Sequence, residues 1–295
     1  MADPAPPPSP SIWVKLTPGA FVVLWASGFI GGKLGLPYIE PASFLLLRFA
    51  LVIALMLPIA LFWRAPWPST PRQVFHIGVA GILMQACYLC GVFAAIHHGM
   101  SAGLAALIVG MQPLLTAFVA APLLGERVSR RQWGGLVLGL AGVALVVSQN
   151  ATLSGVSPWS MGFVLVALAG ITFGTMYQKR FCGPFDLRTG SVIQFATAGL
   201  ALAPFALLFE SGVVHWSSEL VFALAWLVLV LSIGAISMLT LLIRRGAVTK
   251  VASLMYLTPP VTAVMAWLMF GEMLSTQALC GLALAALGVA IVVRD

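Results

Sequence analysis

Within long apolar runs, this sequence keeps two permanent cations, Lys33 and Arg48. A cation in such surroundings is costly and reads first as a binding group, here for a substrate carboxylate at Lys33. Both lie toward the ends of their runs, on either side of Glu40. Snorkelling, or an ion pair with a nearby carboxylate, therefore stands beside the ligand-binding reading.

The other chemistry on offer is recognition rather than bond-making. Two stretches, AGLAALIVGMQPLLTAFVAAPLLGE (102–126) and TKVASLMYLTPPVTAVMAWLMFGE (249–272), are apolar, break at proline and end in Gly-Glu. Proline inside a helix frees a carbonyl, which apolar surroundings tolerate only where protein or a wet cavity meets it. Pro113, Pro259 and Pro260 are therefore expected to break their helices beside a cavity and to act in gating. Trp25, Met84, Tyr88, Met111, Gln112, Thr172, Met176, Ser237, Tyr256 and Thr258 fall at similar depths and form the expected substrate-binding lining. Aromatic rings and methionines would make an adaptable apolar wall, while hydroxyls and an amide fix orientation. For each residue singly, helix packing or lipid contact competes with lining a cavity.

Catalytic and metal chemistry find little support. Cys87 and Cys90 have the C-x-x-C spacing of redox and zinc sites, but no second Cys/His pair follows at metal spacing. They read as small packing residues, and no cofactor or metal is expected. Ser27, Ser232, Ser237 and Ser253 could supply a nucleophile, yet His76, His97 and His98 lie near the ends of apolar runs, and no H-E-x-x-H occurs. An intramembrane enzyme is thus a remote alternative. A channel is another, without a T-V-G-Y-G filter or a charged ring.

The elements that must position these residues follow from composition. Of 295 residues, 61% are hydrophobic and only 8% charged, with mean hydropathy +1.05. Soluble domains carry about a quarter of charged residues, so this chain cannot coat a water-facing surface. Ten apolar segments stand between polar breaks: 17–36, 42–63, 74–97, 100–124, 131–149, 157–179, 187–210, 219–243, 249–270 and 275–293. The proline-rich start, residues 1–16, is expected to be a disordered tail without the pattern of a cleaved leader.

Charge orients these segments. With the N-terminus cytoplasmic, one side carries Lys15, Arg64, Arg72, Arg127, Arg130, Arg131, Lys179, Arg180, Arg188, Arg244, Arg245, Lys250 and Arg294. The other side carries Glu40, Glu210, Glu219 and Glu272 and no Lys or Arg in its loops. The positive-inside rule then puts both termini in the cytoplasm, and the net charge of +7 reflects topology, not nucleic-acid binding.

The halves repeat. Aligning Gly99 with Gly246 brings Ala106 onto Ser253 and Pro113 onto Pro260. One residue of gap then brings Gly125-Glu126 onto Gly271-Glu272, Gly135 onto Gly281 and Gly142 onto Gly288. Two five-helix units, 17–150 and 151–295, are expected, inverted with respect to each other because five is odd. The fold class is an all-α polytopic membrane protein.

The stretches LWASGFIGGKLGL, EPASFLLLRFAL and the two proline-broken runs resemble the ten-helix EamA-domain branch of the drug/metabolite transporter superfamily, most like the aromatic amino-acid exporters. The resemblance implies export of small metabolites, amino acids and their relatives, across the cell inner (plasma) membrane, with lipid as the surrounding partner. All acidic residues fall in loops, termini or helix ends, so no buried carboxylate is offered to a proton. Facilitated diffusion by alternating access is expected, with a proton-coupled drug/metabolite antiporter as the alternative.

Overall fold

Hydroxyl side chains and prolines mark where the helices begin. The computed structural model describes residues 12–112, 115–116, 129–152, 156–235, 257–272 and 275–293. They join into ten helices: α1 (Ile12–Gly35), α2 (Pro41–Phe62), α3 (Pro71–His97), α4 (Ala102–Val109), α5 (Arg130–Thr152), α6 (Pro158–Phe181), α7 (Leu187–Phe209), α8 (Ser218–Ala225, continuing through Trp226–Ala235), α9 (Thr258–Phe270) and α10 (Thr276–Val293). Thr70, Ser101, Ser157, Asp186 and Ser217 each accept a first-turn N–H, ahead of α3, α4, α6, α7 and α8. Pro41, Pro71 and Pro158 occupy first turns, where their missing N–H breaks no intrahelical bond. Among the described residues there is no strand, only an isolated bridge between Ile39 and Val214.

Helices α2, α3, α6 and α7 are long and apolar enough to cross a bilayer, and α1, α8, α9 and α10 add shorter apolar stretches. Leu200, Leu207, Phe209 and Leu268 are largely exposed. Such side chains would be a liability in water and suit a lipid-facing surface. The core is built from Phe29, Phe44, Phe49, Phe93 and the whole of α4, every residue of which is buried.

Helices from the two ends of the chain interleave. α1 packs on α8 and α9, whereas α6 packs on α3 and α4. α2 pairs with α7, α4 with α9, and α5 with α10. Glycines admit these approaches: a Cβ on Gly28 would stand 2.9 Å from Leu231 Cδ2, and one on Gly170 would stand 2.8 Å from the Leu83 carbonyl oxygen. Gly142 lies against Gly281 and Ala285, while Gly288 lies against Gly135 and Gly139. The glycines that align in sequence thus meet crosswise.

Two helices widen along their course. α3 adopts i→i+5 winding over Ile82–Cys90, and α8 does so over Trp226–Ala235. Segments of this kind are uncommon and cluster at functional places.

Candidate functional site

The end of α4 and the start of α9 face each other. α4 stops at Val109; the Gly110 N–H donates to the Ala106 carbonyl and the Met111 N–H to that of Ile108, tightening the last turn. Pro113, which lies outside the described residues, has no N–H for the Val109 carbonyl. α9 opens at Thr258, with Pro259 and Pro260 in its first turn. These two prolines start a helix instead of kinking its middle. α4 and α9 run antiparallel in contact, Gly103 against Ala263 and Gly110 against Pro259. Between them and α10 is a small apolar crevice lined by Leu107, Gly110, Met111, Pro259, Pro260, Leu282 and Ala285.

Polar atoms stand close to this break. The hydroxyls of Thr258 and Thr262 are buried, and neither has a hydrogen-bond partner among the described residues. One turn apart, they share a face of α9. A buried hydroxyl left unpaired costs about 1–3 kcal/mol, so two on one face are a reserve of binding capacity. On the α4 side, Gln112 Nε2 donates to Thr175 Oγ1 at 3.1 Å. The Thr175 hydroxyl in turn donates within α6, to the carbonyls of Ile171 and Thr172 at 2.8 and 2.9 Å.

The expected lining residues fall into groups. Met111 and Gln112 lie at the end of α4 opposite Thr258, Pro259 and Pro260. Met84 and Tyr88 sit on the widened part of α3 against α6, the first beside Gly174 and the second with its backbone beside Gly170. Thr172 is fully buried and donates to the Leu168 carbonyl at 2.7 Å, so its hydroxyl is already satisfied. Met176 is half-buried on the same helix, and Gln112, through Thr175, ties this group to the first. Trp25 stands apart on α1, half-buried, its ring 5.8 Å from that of Phe21. Ser237 and Tyr256, like Pro113, lie outside the described residues. Cys87 packs its Cβ toward Gly170, and both Cys87 and Cys90 are free thiols.

Charged groups gather at the ends of the bundle. Lys33, near the end of α1, forms an ion pair with Glu272, just past the end of α9. Its Nζ also lies 4.8 Å from the centroid of the Phe270 ring. Gly271 makes this possible: its left-handed conformation (φ 66°) turns the chain after α9 and brings Glu272 round toward α1. Glu40, the carboxylate nearer in sequence, is engaged elsewhere. It accepts from the Ser211 N–H and hydroxyl, both at 2.6 Å, and these bonds hold its carboxyl below the usual carboxylate range. Reciprocally, Glu210 accepts from the N–H groups of Ala42 and Ser43 at 2.7 Å and from the Ser43 hydroxyl at 2.8 Å, capping α2. Arg48 is buried, its Nε has no hydrogen-bond partner among the described residues, and Tyr88 is its electrostatic neighbour.

Sequence reasoning placed Lys33 but not its partner, which lies 239 residues away. The Gly-Glu ending was visible as a helix stop; that its carboxylate turns toward α1 is a property of the packed bundle. Thr175 was missed altogether, although its place three residues beyond Thr172 on one helix face was a usable hint.

Known proteins share this architecture. The sequence pattern of the EamA-like transporter family matches residues 19–148 and again residues 158–294. The chain is 27% identical to the Escherichia coli K12 protein named uncharacterized inner membrane transporter YedA, over 87% of this chain and 82% of that one. It is 29% identical to a Salmonella typhimurium protein named probable amino-acid metabolite efflux pump, over 92% and 91%. A solved crystal structure matches at TM-score 0.63 with 22% identity, covering 94% of each chain, a likeness of fold.

Proposed function

The chain belongs to the EamA-like transporter family, and from that premise we propose that it exports small metabolites through the inner membrane, amino acids with aromatic or other apolar side chains above all. It is a transporter rather than an enzyme. The observation that carries the substrate reading is the meeting of α4 and α9 at an apolar crevice lined by Met111, Pro259 and Pro260, on a helix that also carries the buried hydroxyls of Thr258 and Thr262, unpaired among the described residues. Such a site suits a cargo that is mostly apolar with a few polar groups to orient. The relatives named as inner membrane transporter and amino-acid metabolite efflux pump support the same reading.

Two inverted halves, 17–150 and 151–295, with both termini cytoplasmic, form the working unit of this proposal. The crosswise glycine contacts of α5 and α10, the exchange of α1 and α6 between neighbours, and the matched widening of α3 and α8 support it. The double match of the family pattern does so too. Alternating access then means rocking of the halves about the break. Met84, Tyr88, Met111, Gln112, Thr172, Met176 and Thr258 are the proposed contacts, with Trp25, Ser237 and Tyr256 completing the wall. Pro113, Pro259 and Pro260 set the break.

Flux is proposed to run down the substrate gradient. Among the described residues, Glu40, Asp186, Glu210, Glu219 and Glu272 all stand at or beyond helix ends, so none offers a midplane proton site. Uptake of a labelled amino-acid panel by liposomes carrying the purified protein tests both points. Saturable, competable flux without a pH gradient is expected. Flux that requires an imposed gradient would give the proton-coupled antiporter instead, and no flux of any amino acid would remove the substrate reading.

A further inference from the structure

The Lys33–Glu272 pair holds one cation and one anion on helices from the two ends of the chain, α1 and α9. Their side chains remain 27% and 17% exposed, so the pair is partly desolvated yet open to a small ligand. The ammonium also rests over the Phe270 ring, next to the carboxyl end of α9, where the helix dipole favours a positive charge. Glu40, Glu210 and Glu219, the other carboxylates at this end among the described residues, are held by backbone N–H groups and hydroxyls. Glu272 instead answers to Lys33. With α9 13 residues long, the pair stands about 20 Å along that helix from the crevice at its other end.

We propose that this pair is a headgroup site for a zwitterion, a ligand bearing ammonium and carboxylate on neighbouring atoms. This deepens the amino-acid reading above and rests on it. A zwitterion entering between the two side chains gives its carboxylate to Lys33 and its ammonium to Glu272 and the face of Phe270. One ion pair becomes two, with no net charge brought in. A ligand with an amine alone would leave Lys33 without its anion. A ligand with a carboxylate alone would do the same to Glu272. Leaving a partly desolvated charge unpaired is the penalty that makes polar sites selective. The site thus selects the amino-acid headgroup and, about 20 Å along α9 from the crevice, is a station separate from it. Since the two charges sit on different helices, the ligand also parts α1 from α9 as it enters.

The test uses phenylalanine, phenethylamine and 3-phenylpropionate, which share a ring and differ in headgroup, in thermal-shift titrations of the purified full chain. Phenylalanine is expected to stabilise the protein at concentrations about ten-fold lower than either analogue. The K33M/E272M protein, which leaves neither charge alone, should lose that preference. The K33E/E272K protein, which restores a pair with reversed polarity, should keep it. E272Q frees Lys33 and should strengthen the response to 3-phenylpropionate, which keeps the idea testable if the double apolar variant does not fold. Equal responses to the three ligands, no response to phenylalanine, or unchanged preference in K33M/E272M would each overturn the proposal. Phenylalanine binding with the stated preference but without liposome flux would uphold the site and remove the transport reading alone.

Discussion

Gly110, just past the end of α4, lies against Pro259 of α9 so closely that a Cβ on Gly110 would stand 2.8 Å from Pro259 Cγ. The same Cβ would stand 3.0 Å from the Ala106 carbonyl oxygen. Replacing Gly110 by valine therefore forces the two broken helices apart at the crevice. Overpacking of this kind costs about 1–3 kcal/mol. The expected result is a lower melting temperature together with a fall in the initial rate of flux of at least about ten-fold. A G110V protein with wild-type flux would show that the crevice is not on the transport path.

Alanine at Pro113 or at Pro260 tests the breaks themselves. Pro260 lies in the first turn of α9, where its missing N–H breaks no bond, so P260A should change stability by less than about 1 kcal/mol. Flux should fall several-fold in each variant if the break matters to movement. Circular dichroism and liposome uptake on the same preparations separate the two effects, and unchanged flux in both would remove the gating role.

The glycines of α6 differ in what they meet. A Cβ at Gly170 would approach backbone atoms of α3, the Leu83 oxygen at 2.8 Å and the Tyr88 nitrogen at 3.0 Å. At Gly174 the nearest atom is Met84 Cγ, at 2.5 Å, on a flexible side chain. G170A should therefore destabilise more than G174A, and adding M84A should rescue G174A but not G170A. Thermal melts of the four proteins decide it; equal losses at both glycines would contradict the packing described for α3 and α6.

Glu40 makes acid stability informative. Its hydrogen bonds from Ser211 lower its carboxyl below the ordinary value, so the folded state favours the ionised form. That contribution is complete above the ordinary carboxylate pKa, about 4.3, and is lost as pH falls through the lowered folded value. Melting temperature should drop more steeply with acid in the wild type than in E40Q, in which the group no longer titrates. Parallel pH profiles for the two proteins would mean that the contact adds nothing in solution.

The helices were legible in the sequence because each announces its ends. Thr70, Ser101, Ser157, Asp186 and Ser217 cap helices where a polar break was read, and the ten apolar segments correspond to ten helices. Met111, Pro259 and Pro260, read at similar depths from the two aligned proline-bearing stretches, line one crevice. Helix α3 was less legible: nothing in ILMQACYLC signals the i→i+5 winding, along which Leu83, Cys87 and Tyr88 lie against the glycines of α6. Lys33 was read against Glu40, its near neighbour in sequence. The pairing with Glu272 depends on a left-handed Gly271 and on which helix lies beside α1, both products of the assembled bundle.

The capping of α2 by Glu210 also has a meaning in time. Ala42 and Ser43 leave the ribosome long before their acceptor, which follows 168 and 167 residues later. Until α7 is inserted, the first turn of α2 must satisfy those donors with water or lipid headgroups. A chain truncated ahead of Glu210 is missing the acceptor that completes the first turn of α2. A helix that opens at Pro41 is thus closed by a carboxylate that the chain supplies only at the end of α7.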